Sequence, residues 1–169
     1  KTGRDRKIRK FAGKVLAAIL TICLSITGIY DFAVIVKGNG PGRRVAVNMN
    51  SDLTCWLAEH LDKNDLLLTP EYSMNEVTMS GVMLYCGWPY YAWSAGYDTN
   101  YRAAQAVTIY TTSDSETLKS TVKQEKITYI LFEEGSEFEQ QVCQEETIAA
   151  TYEKVYETQD GRIRIYKTN

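Results

Sequence analysis

Residues 11–30 decide the fold of this chain, and they read FAGKVLAAILTICLSITGIY. Sixteen of these twenty positions are apolar or glycine, and the only charged one, Lys14, lies near the start. A helix of about 20 residues rises about 30 Å, which is the thickness of the bilayer hydrocarbon. The long side chain of Lys14 can reach the headgroups, and Ser and Thr hydroxyls can bond helix carbonyls. The sequence therefore predicts a transmembrane helix that, with its exit, covers residues 11–36.

The charges on either side of this helix predict its orientation. Residues 1–14 carry seven Lys/Arg and one Asp, whereas the whole chain of 169 residues has a net charge of −2. Basic residues collect on the cytoplasmic side of membrane helices. We therefore expect residues 1–10 to form a basic cytoplasmic flank in the cell membrane, and the acidic remainder of the chain to be extracytoplasmic.

Three other interpretations of the basic and apolar start remain open. A nucleic-acid-binding arm would not normally lead directly into such a long apolar run, so no nucleic-acid partner is expected. A buried helix of a soluble protein would show a polar stripe. A cleavable signal peptide shares the basic start and the apolar run, although no small-x-small cleavage site follows. Because the chain begins at Lys1, we expect a piece of a longer protein, in which this span is the last helix of a polytopic chain.

Residues 37–44, KGNGPGRR, connect the helix to the rest of the chain. Their three glycines suggest a phosphate-binding loop, but such a loop needs a preceding strand and free backbone N–H groups. A predicted membrane helix comes before this stretch instead, and Pro41 removes one donor. We therefore expect a linker.

The remaining residues, 45–169, are numerous enough for a real hydrophobic core. Two short apolar runs, 65–69 (DLLLT) and 127–132 (ITYILF), are typical of buried strands. The alternating segments 151–157 and 162–167 flank an Asp-Gly pair and predict a β-hairpin. Helices are expected at four places in this domain, over 51–63, 74–84, 99–110 and 114–124.

Two details refine the prediction for this domain. Ser113 and Glu116 have the spacing of a capping box, which marks the start of the last predicted helix. Helices that lie between an early apolar strand and later ones favour a small sheet with an antiparallel edge. The predicted fold class is therefore α/β, with an N-terminal transmembrane helix followed by a small mixed-sheet extracytoplasmic domain that ends in a β-hairpin.

Residues that commonly carry catalysis or bind metals are scarce. His60 is the only histidine, and its position on the apolar face of its helix predicts a satisfied, partly buried imidazole. The adjacent carboxylates Glu133/Glu134 and Glu145/Glu146 are typical of a solvated surface. Neither a Walker loop nor a nucleophile elbow is present. We expect no catalytic residue, metal or cofactor in this chain.

The four cysteines do not have the spacing of zinc ligands. Cys23 lies inside the predicted span, which leaves Cys55, Cys86 and Cys143 outside the membrane. At most one disulfide can form among these three, and the sequence does not choose its partners.

Residues 85–102, YCGWPYYAWSAGYDTNYR, hold seven aromatic residues in eighteen positions. Aromatic faces stack on sugar rings, and Tyr and Trp also favour the membrane–water boundary. Asp98 can accept hydrogen bonds from sugar hydroxyls, and Arg102 can grip a phosphate with its planar fork. Trp93, Tyr97, Asp98 and Arg102 are the candidate substrate-binding residues. The alternative is that the rings dock on the membrane or pack the sheet, with Arg102 paired to Asp98.

The order of these short motifs resembles the C-terminal end of bacterial polytopic GT-C-type glycosyltransferases. The resemblance covers nearly the whole chain. Its motifs are a final span ending in TGIYDF, a helix with Trp56, the strand LLLTP, Met79-Ser80-Gly81, Trp93-Ser94-Ala95-Gly96-Tyr97-Asp98 with Arg102, the strand ITYILF and a closing IRIYK.

The resemblance implies a function for the intact protein. Such enzymes transfer a sugar from a polyprenyl-phosphate carrier to an acceptor on the outer side of the membrane. Their catalytic acid usually lies in the first extracytoplasmic loop, so this chain would lack it, and Arg102 would meet the lipid phosphate. The partners expected are membrane lipid, the polyprenyl-phosphate sugar donor and the rest of the polytopic protein. The alternative is a single-span, membrane-anchored binding module for glycan or protein partners.

Overall fold

The computed structural model describes residues 3–39, 47–72 and 76–169. The chain divides into two compact units, Lys1–Ala46 and Val47–Asn169. The first contains one long helix, and the second contains a mixed α/β sheet. This arrangement confirms the predicted fold of an N-terminal apolar helix followed by a mixed-sheet α/β domain that ends in C-terminal strands.

In its described residues the first unit contains one helix, α1, which spans Gly3–Gly38 and has 36 residues. Its segment Ile8–Gly38 is long and apolar enough to cross a membrane, with a mean hydropathy of 2.1 over its most apolar window and no burial within the protein. The hydroxyl of Thr21 donates to the Ala17 carbonyl at 2.9 Å, and that of Thr27 donates to the Leu24 carbonyl at 2.9 Å. These bonds satisfy the hydroxyls within the helix, as the sequence predicts.

Helix α1 is longer than the predicted span. At 1.5 Å per residue its length is about 54 Å, which exceeds the about 30 Å of hydrocarbon that a bilayer offers to a spanning helix. The helix includes most of the basic flank and continues past Asp31. Lys37 and Gly38, which the sequence assigns to a linker, end this helix. The rest of that predicted linker, from residue 40 onward, lies outside the described residues.

The second unit is built on a five-stranded sheet in the order β2-β1-β3-β7-β6. β1 is parallel to β2 and to β3, whereas β7 is antiparallel to both β3 and β6. A separate antiparallel pair is formed by β4 and β5. The strands are β1 Leu66–Leu68, β2 Met83–Leu84, β3 Tyr129–Glu133, β4 Glu137–Phe138, β5 Gln141–Val142, β6 Glu153–Glu157 and β7 Ile163–Lys167.

Helices cover both faces of this sheet. They are α2 Asp52–His60, α3 Glu76–Met79, α4 Pro89–Ser94, α5 Thr99–Thr111, α6 Ser115–Glu125 and α7 Glu146–Thr151. In β3, Ile130 and Phe132 belong to the core shared with α5 and α6, whereas Tyr129 and Leu131 belong to the core shared with α2. This alternation explains why the two apolar runs predicted as strands are buried on both sides.

The C-terminal hairpin of β6 and β7 confirms the prediction from the Asp-Gly pair. Gly161 adopts a φ of 72°, which glycine allows without strain. Asp160 accepts hydrogen bonds from the Arg162 backbone N–H at 3.1 Å and from the Thr158 hydroxyl at 2.6 Å. The predicted first strand begins two residues early, because Thr151 is the last residue of α7.

The predicted helix over 74–84 is wrong over its second half. Of the described residues in this stretch, only Glu76–Met79 are helical, and the strand β2 follows. Gly81 ends the helix with a φ of 80°, a conformation that side chains with a Cβ rarely adopt. Met83 and Leu84 then pair with β1.

The cap of α6 differs from the predicted capping box. Asp114, and not Ser113, is the N-cap, and its carboxylate accepts hydrogen bonds from the backbone N–H groups of Glu116 and Thr117. The hydrogen bond from the Thr117 hydroxyl, at 2.6 Å, is the main reason why the pKa of Asp114 lies below its usual value. A carboxylate satisfies three donors here, which a serine hydroxyl cannot do as well.

His60 is exposed, so the prediction of a partly buried imidazole is wrong. Leu53 and Leu57 of α2 face the core, and His60 lies beside Trp56 at the end of the helix. Its ring stacks on the Trp56 ring with centroids 4.5 Å apart, and its Nδ1 lies 2.9 Å from the Trp56 carbonyl oxygen. The imidazole is therefore satisfied by its own helix at the surface of the domain.

Candidate functional site

The aromatic stretch contains a short helix, α4, between the predicted helices 74–84 and 99–110, where the sequence predicts none. Pro89 takes the first turn of α4, where its missing N–H costs nothing. Gly96 ends the helix with a φ of 86°, and the backbone N–H of Tyr97 donates to the Ala92 carbonyl at 3.1 Å. No residue of α4 is buried. The helix therefore presents its side chains to the surroundings and contributes little to the core.

Aromatic rings in and near α4 contact one another in a series. Trp88 lies between Tyr72, at 5.1 Å between ring centroids, and Tyr91, at 6.2 Å. Tyr90 lies 6.2 Å from Tyr91 and 6.1 Å from Trp93. We call the exposed rings of this region the aromatic surface; they are Tyr72, Trp88, Tyr90, Tyr91, Trp93 and Tyr97.

Tyr72 joins this surface through an unusual backbone conformation. Its φ is 63°, in the left-handed region that a bulky side chain rarely adopts. Such strain persists only where the surrounding structure determines it, and it clusters at functional positions. Sequence reasoning missed Tyr72, because nothing in the sequence indicates its contact with Trp88.

Tyr85 and Tyr101 belong to a different environment from the aromatic surface. Both hydroxyls donate to the carboxylate of Glu125, each at 2.7 Å. Tyr85 is buried, and burial together with this hydrogen bond raises the pKa of its hydroxyl well above its usual value. Through Glu125, the aromatic stretch is fixed to the C-terminal end of α6. No sequence signal predicts this contact, since the partners are 40 and 24 residues apart.

Asp98 and Arg102 both lie in the first turns of α5. Asp98 is the N-cap, and its Oδ1 accepts a hydrogen bond from the Tyr101 backbone N–H at 3.2 Å. Arg102 donates from Nη1 to the Tyr85 carbonyl at 2.7 Å, and its guanidinium carbon lies 5.1 Å from the Tyr85 ring centroid. Among the described residues Arg102 makes no ion pair with Asp98, so the alternative in which these two charges pair is wrong.

The four predicted site residues therefore lie within ten consecutive residues, at the junction between α4 and α5. Trp93 and Tyr97 are exposed rings at the end of α4, and Asp98 and Arg102 start α5. Arg102 is also exposed, and four of its five N–H donors have no partner among the described residues. The junction presents aromatic faces and an available guanidinium.

An open acidic cavity lies next to Tyr72. Its volume is about 880 Å³, and its lining is Glu71, Tyr72, Gly135, Glu137, Glu139 and Gln140. Glu71 Oε2 accepts a hydrogen bond from the Glu139 backbone N–H at 2.9 Å. No group of three His, Cys, Asp or Glu side chains in the described part of the chain is placed to hold a metal ion.

Glu145 is not on a solvated surface, and that prediction is wrong. It accepts hydrogen bonds from the Arg164 guanidinium and from the Tyr166 hydroxyl, and all three side chains are partly or fully buried. The hydrogen bond to Glu145 raises the pKa of Arg164, and burial raises that of Tyr166. These hydrogen bonds tie Glu145, which directly precedes α7, to strand β7 of the sheet. Glu133 makes an ion pair with Arg162 at 3.7 Å.

The cysteines are all free thiols in this structure. Cys55 is exposed on α2, whereas Cys86 and Cys143 are buried. Burial raises the pKa of Cys86 to about 11 and also raises that of Cys143. Neither buried thiol is in the ionised form that a nucleophile requires.

The structure defines a class: a long apolar helix joined to an α/β domain that exposes an aromatic surface. No protein-family model and no curated protein matches the chain.

Proposed function

We propose that this chain is the last transmembrane helix and the extracytoplasmic domain of a GT-C-type glycosyltransferase. The domain would not be catalytic alone; it would help to bind the polyprenyl-phosphate sugar donor, and the rest of the polytopic protein would supply the catalytic acid. The support comes from the motif resemblance and from the way in which Trp93, Tyr97, Asp98 and Arg102 share one junction.

Arg102 is the observation that carries this proposal. Its guanidinium is exposed and is held in place by the Tyr85 carbonyl, and four donors stay available in the described part of the chain. A planar fork of donors suits the oxygens of a phosphate. A polyprenyl phosphate joins such an anion to an apolar chain, so its site needs a cation close to a membrane, and α1 supplies the membrane attachment.

The other three residues have distinct roles in this proposal. Asp98 caps α5 and so fixes the turn that carries Arg102, while its second carboxylate oxygen stays available for a sugar hydroxyl. Trp93 and Tyr97 present ring faces on which a sugar can stack. Asp98 is therefore first a positioning residue, and Arg102 is the residue that contacts the donor.

Replacing Arg102 by alanine is expected to weaken binding of polyprenyl monophosphate by about tenfold to a hundredfold, because hydrogen bonds to a charged group contribute about 1.5–3 kcal/mol. Arg102→Lys should restore part of the affinity, since it returns the charge without the fork. Binding is measured on the intact membrane protein in nanodiscs. Polyprenol, which lacks the phosphate, serves as the second ligand and should bind all variants equally.

Arg162→Ala is the matched control, because Arg162 is also exposed and its ion pair with Glu133 is long. It should leave the affinity unchanged. Equal affinity of the wild type and Arg102→Ala for the monophosphate would remove Arg102 from the donor site. A start codon directly before Lys1, in place of a reading frame with further spans, would favour the single-span binding module.

A further inference from the structure

The exposed apolar side chains of the second unit are concentrated in one uncharged segment. Residues 77–97 contain no Asp, Glu, Lys or Arg. Eleven large hydrophobic side chains of residues 47–169 are exposed in the described part of the chain, and seven of them fall in this segment: Met79, Met83, Trp88, Tyr90, Tyr91, Trp93 and Tyr97. Five of these seven, from Trp88 to Tyr97, belong to the aromatic surface, and an exposed apolar patch of this kind marks an interaction site.

The kind of side chain indicates the kind of partner. The most exposed members are Trp93 at 64% and Tyr97 at 65%, and neither makes a side-chain hydrogen bond within the described chain. Trp and Tyr combine an apolar ring with one polar group, and they prefer the headgroup level of a bilayer. Aromatic residues and Met are also enriched in interfaces between proteins, so the net charge of the unit and its tether to α1 decide between the two kinds of partner.

The charge of the rest of the unit supports the same partner. Residues 47–169 carry nine Lys/Arg and nineteen Asp/Glu, which gives a net charge of −10. Anionic lipid would repel most of this surface. Residues 77–97, in contrast, carry no charge themselves, and carboxylates lie only at the border of the aromatic surface, at Glu71 beside Tyr72 and at Asp98 beside Tyr97.

The length of the connection keeps a membrane within reach. Helix α1 ends at Gly38 and the second unit begins at Val47, nine residues later. Nine residues span at most about 30 Å even when fully extended. If α1 crosses the bilayer, the linker therefore holds the first residue of the second unit within about 30 Å of the end of α1.

We infer that the aromatic surface inserts its rings into the headgroup region of the membrane to which α1 anchors the chain. The partner is the lipid surface itself, and Trp88 and Trp93 lie at the level where the headgroups meet the acyl chains. This inference goes beyond the proposed function, because it requires neither a sugar donor nor a polytopic partner. It assigns the rings of Trp93 and Tyr97 to the bilayer in place of the sugar, and it leaves the phosphate contact of Arg102 unchanged.

The three tryptophans provide an internal test. The full chain is reconstituted in phospholipid vesicles as three variants that each retain one tryptophan: Trp56→Phe/Trp88→Phe, Trp56→Phe/Trp93→Phe and Trp88→Phe/Trp93→Phe. Lipids brominated near the top of the acyl chain quench a tryptophan only by contact. We expect Trp93 and Trp88 to lose about half or more of their emission, as interfacial rings would.

Trp56, on α2, is the matched control. Its ring packs against His60 of the same helix and against Tyr156 of β6, and it is not part of the aromatic surface. Its emission should be unaffected. The result does not depend on which side of the vesicle the domain occupies. Quenching of Trp93 no stronger than that of Trp56 would overturn the inference, and so would a blue-shifted Trp93 emission without quenching, which would place a protein partner on these rings.

The outcome is separable from the donor site. Arg102→Ala in the Trp93 background should leave the quenching unchanged, whereas it weakens binding of polyprenyl monophosphate if the proposed function is correct. Absence of lipid quenching would contradict only the membrane contact, and unchanged binding of the monophosphate would contradict only the proposed function.

Discussion

Replacing Tyr110 by alanine should lower the free energy of unfolding of the second unit by about 3–5 kcal/mol, the range measured for large aromatic residues in protein cores. Tyr110 is fully buried on α5, its ring stacks on Phe138 with centroids 6.3 Å apart, and its hydroxyl donates to the Leu131 carbonyl at 2.6 Å. It thus joins α5, the β4–β5 pair and the central strand β3. Since folded domains are stable by only about 5–15 kcal/mol, this substitution removes a large share of the total.

A second substitution separates the contribution of the Tyr110 ring to stability from that of its hydroxyl. Tyr110→Phe keeps the ring and leaves the buried carbonyl of Leu131 without this partner, so we expect a loss of about 1–3 kcal/mol. Tyr91→Ala is the matched control: its ring is exposed, and the change should stay within about 0.5 kcal/mol. Urea unfolding of the detergent-solubilised chain, followed by circular dichroism, measures all three. Equal stability of Tyr110→Ala and Tyr91→Ala would show that Tyr110 is not part of a packed core.

The parts of the fold that the sequence predicts are those with a short-range signal. The apolar runs around Leu67 and Ile130 predict strands buried on both faces, because no polar alternation interrupts them. The Asp-Gly pair predicts the hairpin, since its backbone conformation is a property of those two residues. The long apolar helix follows from twenty consecutive residues.

The missed parts depend on contacts between distant residues. Glu145 has the sequence surroundings of a solvated carboxylate, and only the fold brings Arg164 and Tyr166 to it. β2 is two residues long and exists because β1 offers it a partner. Contacts between distant residues also explain what was missed at the candidate site. Asp98 and Arg102 lie within the aromatic stretch and are found from the sequence. Tyr72 and Glu125 join the site only through contacts that the fold creates.

The sidedness of the second unit should be visible in the labelling of a single thiol. If the unit is extracytoplasmic, a membrane-impermeant maleimide added to intact cells should label about one thiol per chain, at Cys55. Cys55 is exposed, whereas Cys86 is 8% exposed and Cys143 is 5% exposed. With a pKa of about 11, Cys86 is ionised in only about one molecule in ten thousand at pH 7. Cys23 lies in the apolar part of α1, which lipid would shield from a charged reagent.

Two variants make this labelling an all-or-none measurement. Cys55→Ser should abolish it, and Cys55→Ser/Thr2→Cys should be labelled only after the cells are permeabilised, because residue 2 lies in the basic flank that we expect to be cytoplasmic. The reverse pattern, with Cys55 labelled only after permeabilisation, would place the acidic domain in the cytosol. Polyprenyl-phosphate donors used on the outer side would then be out of its reach. A labelled chain released into the medium without its first 30 residues would instead identify α1 as a signal peptide.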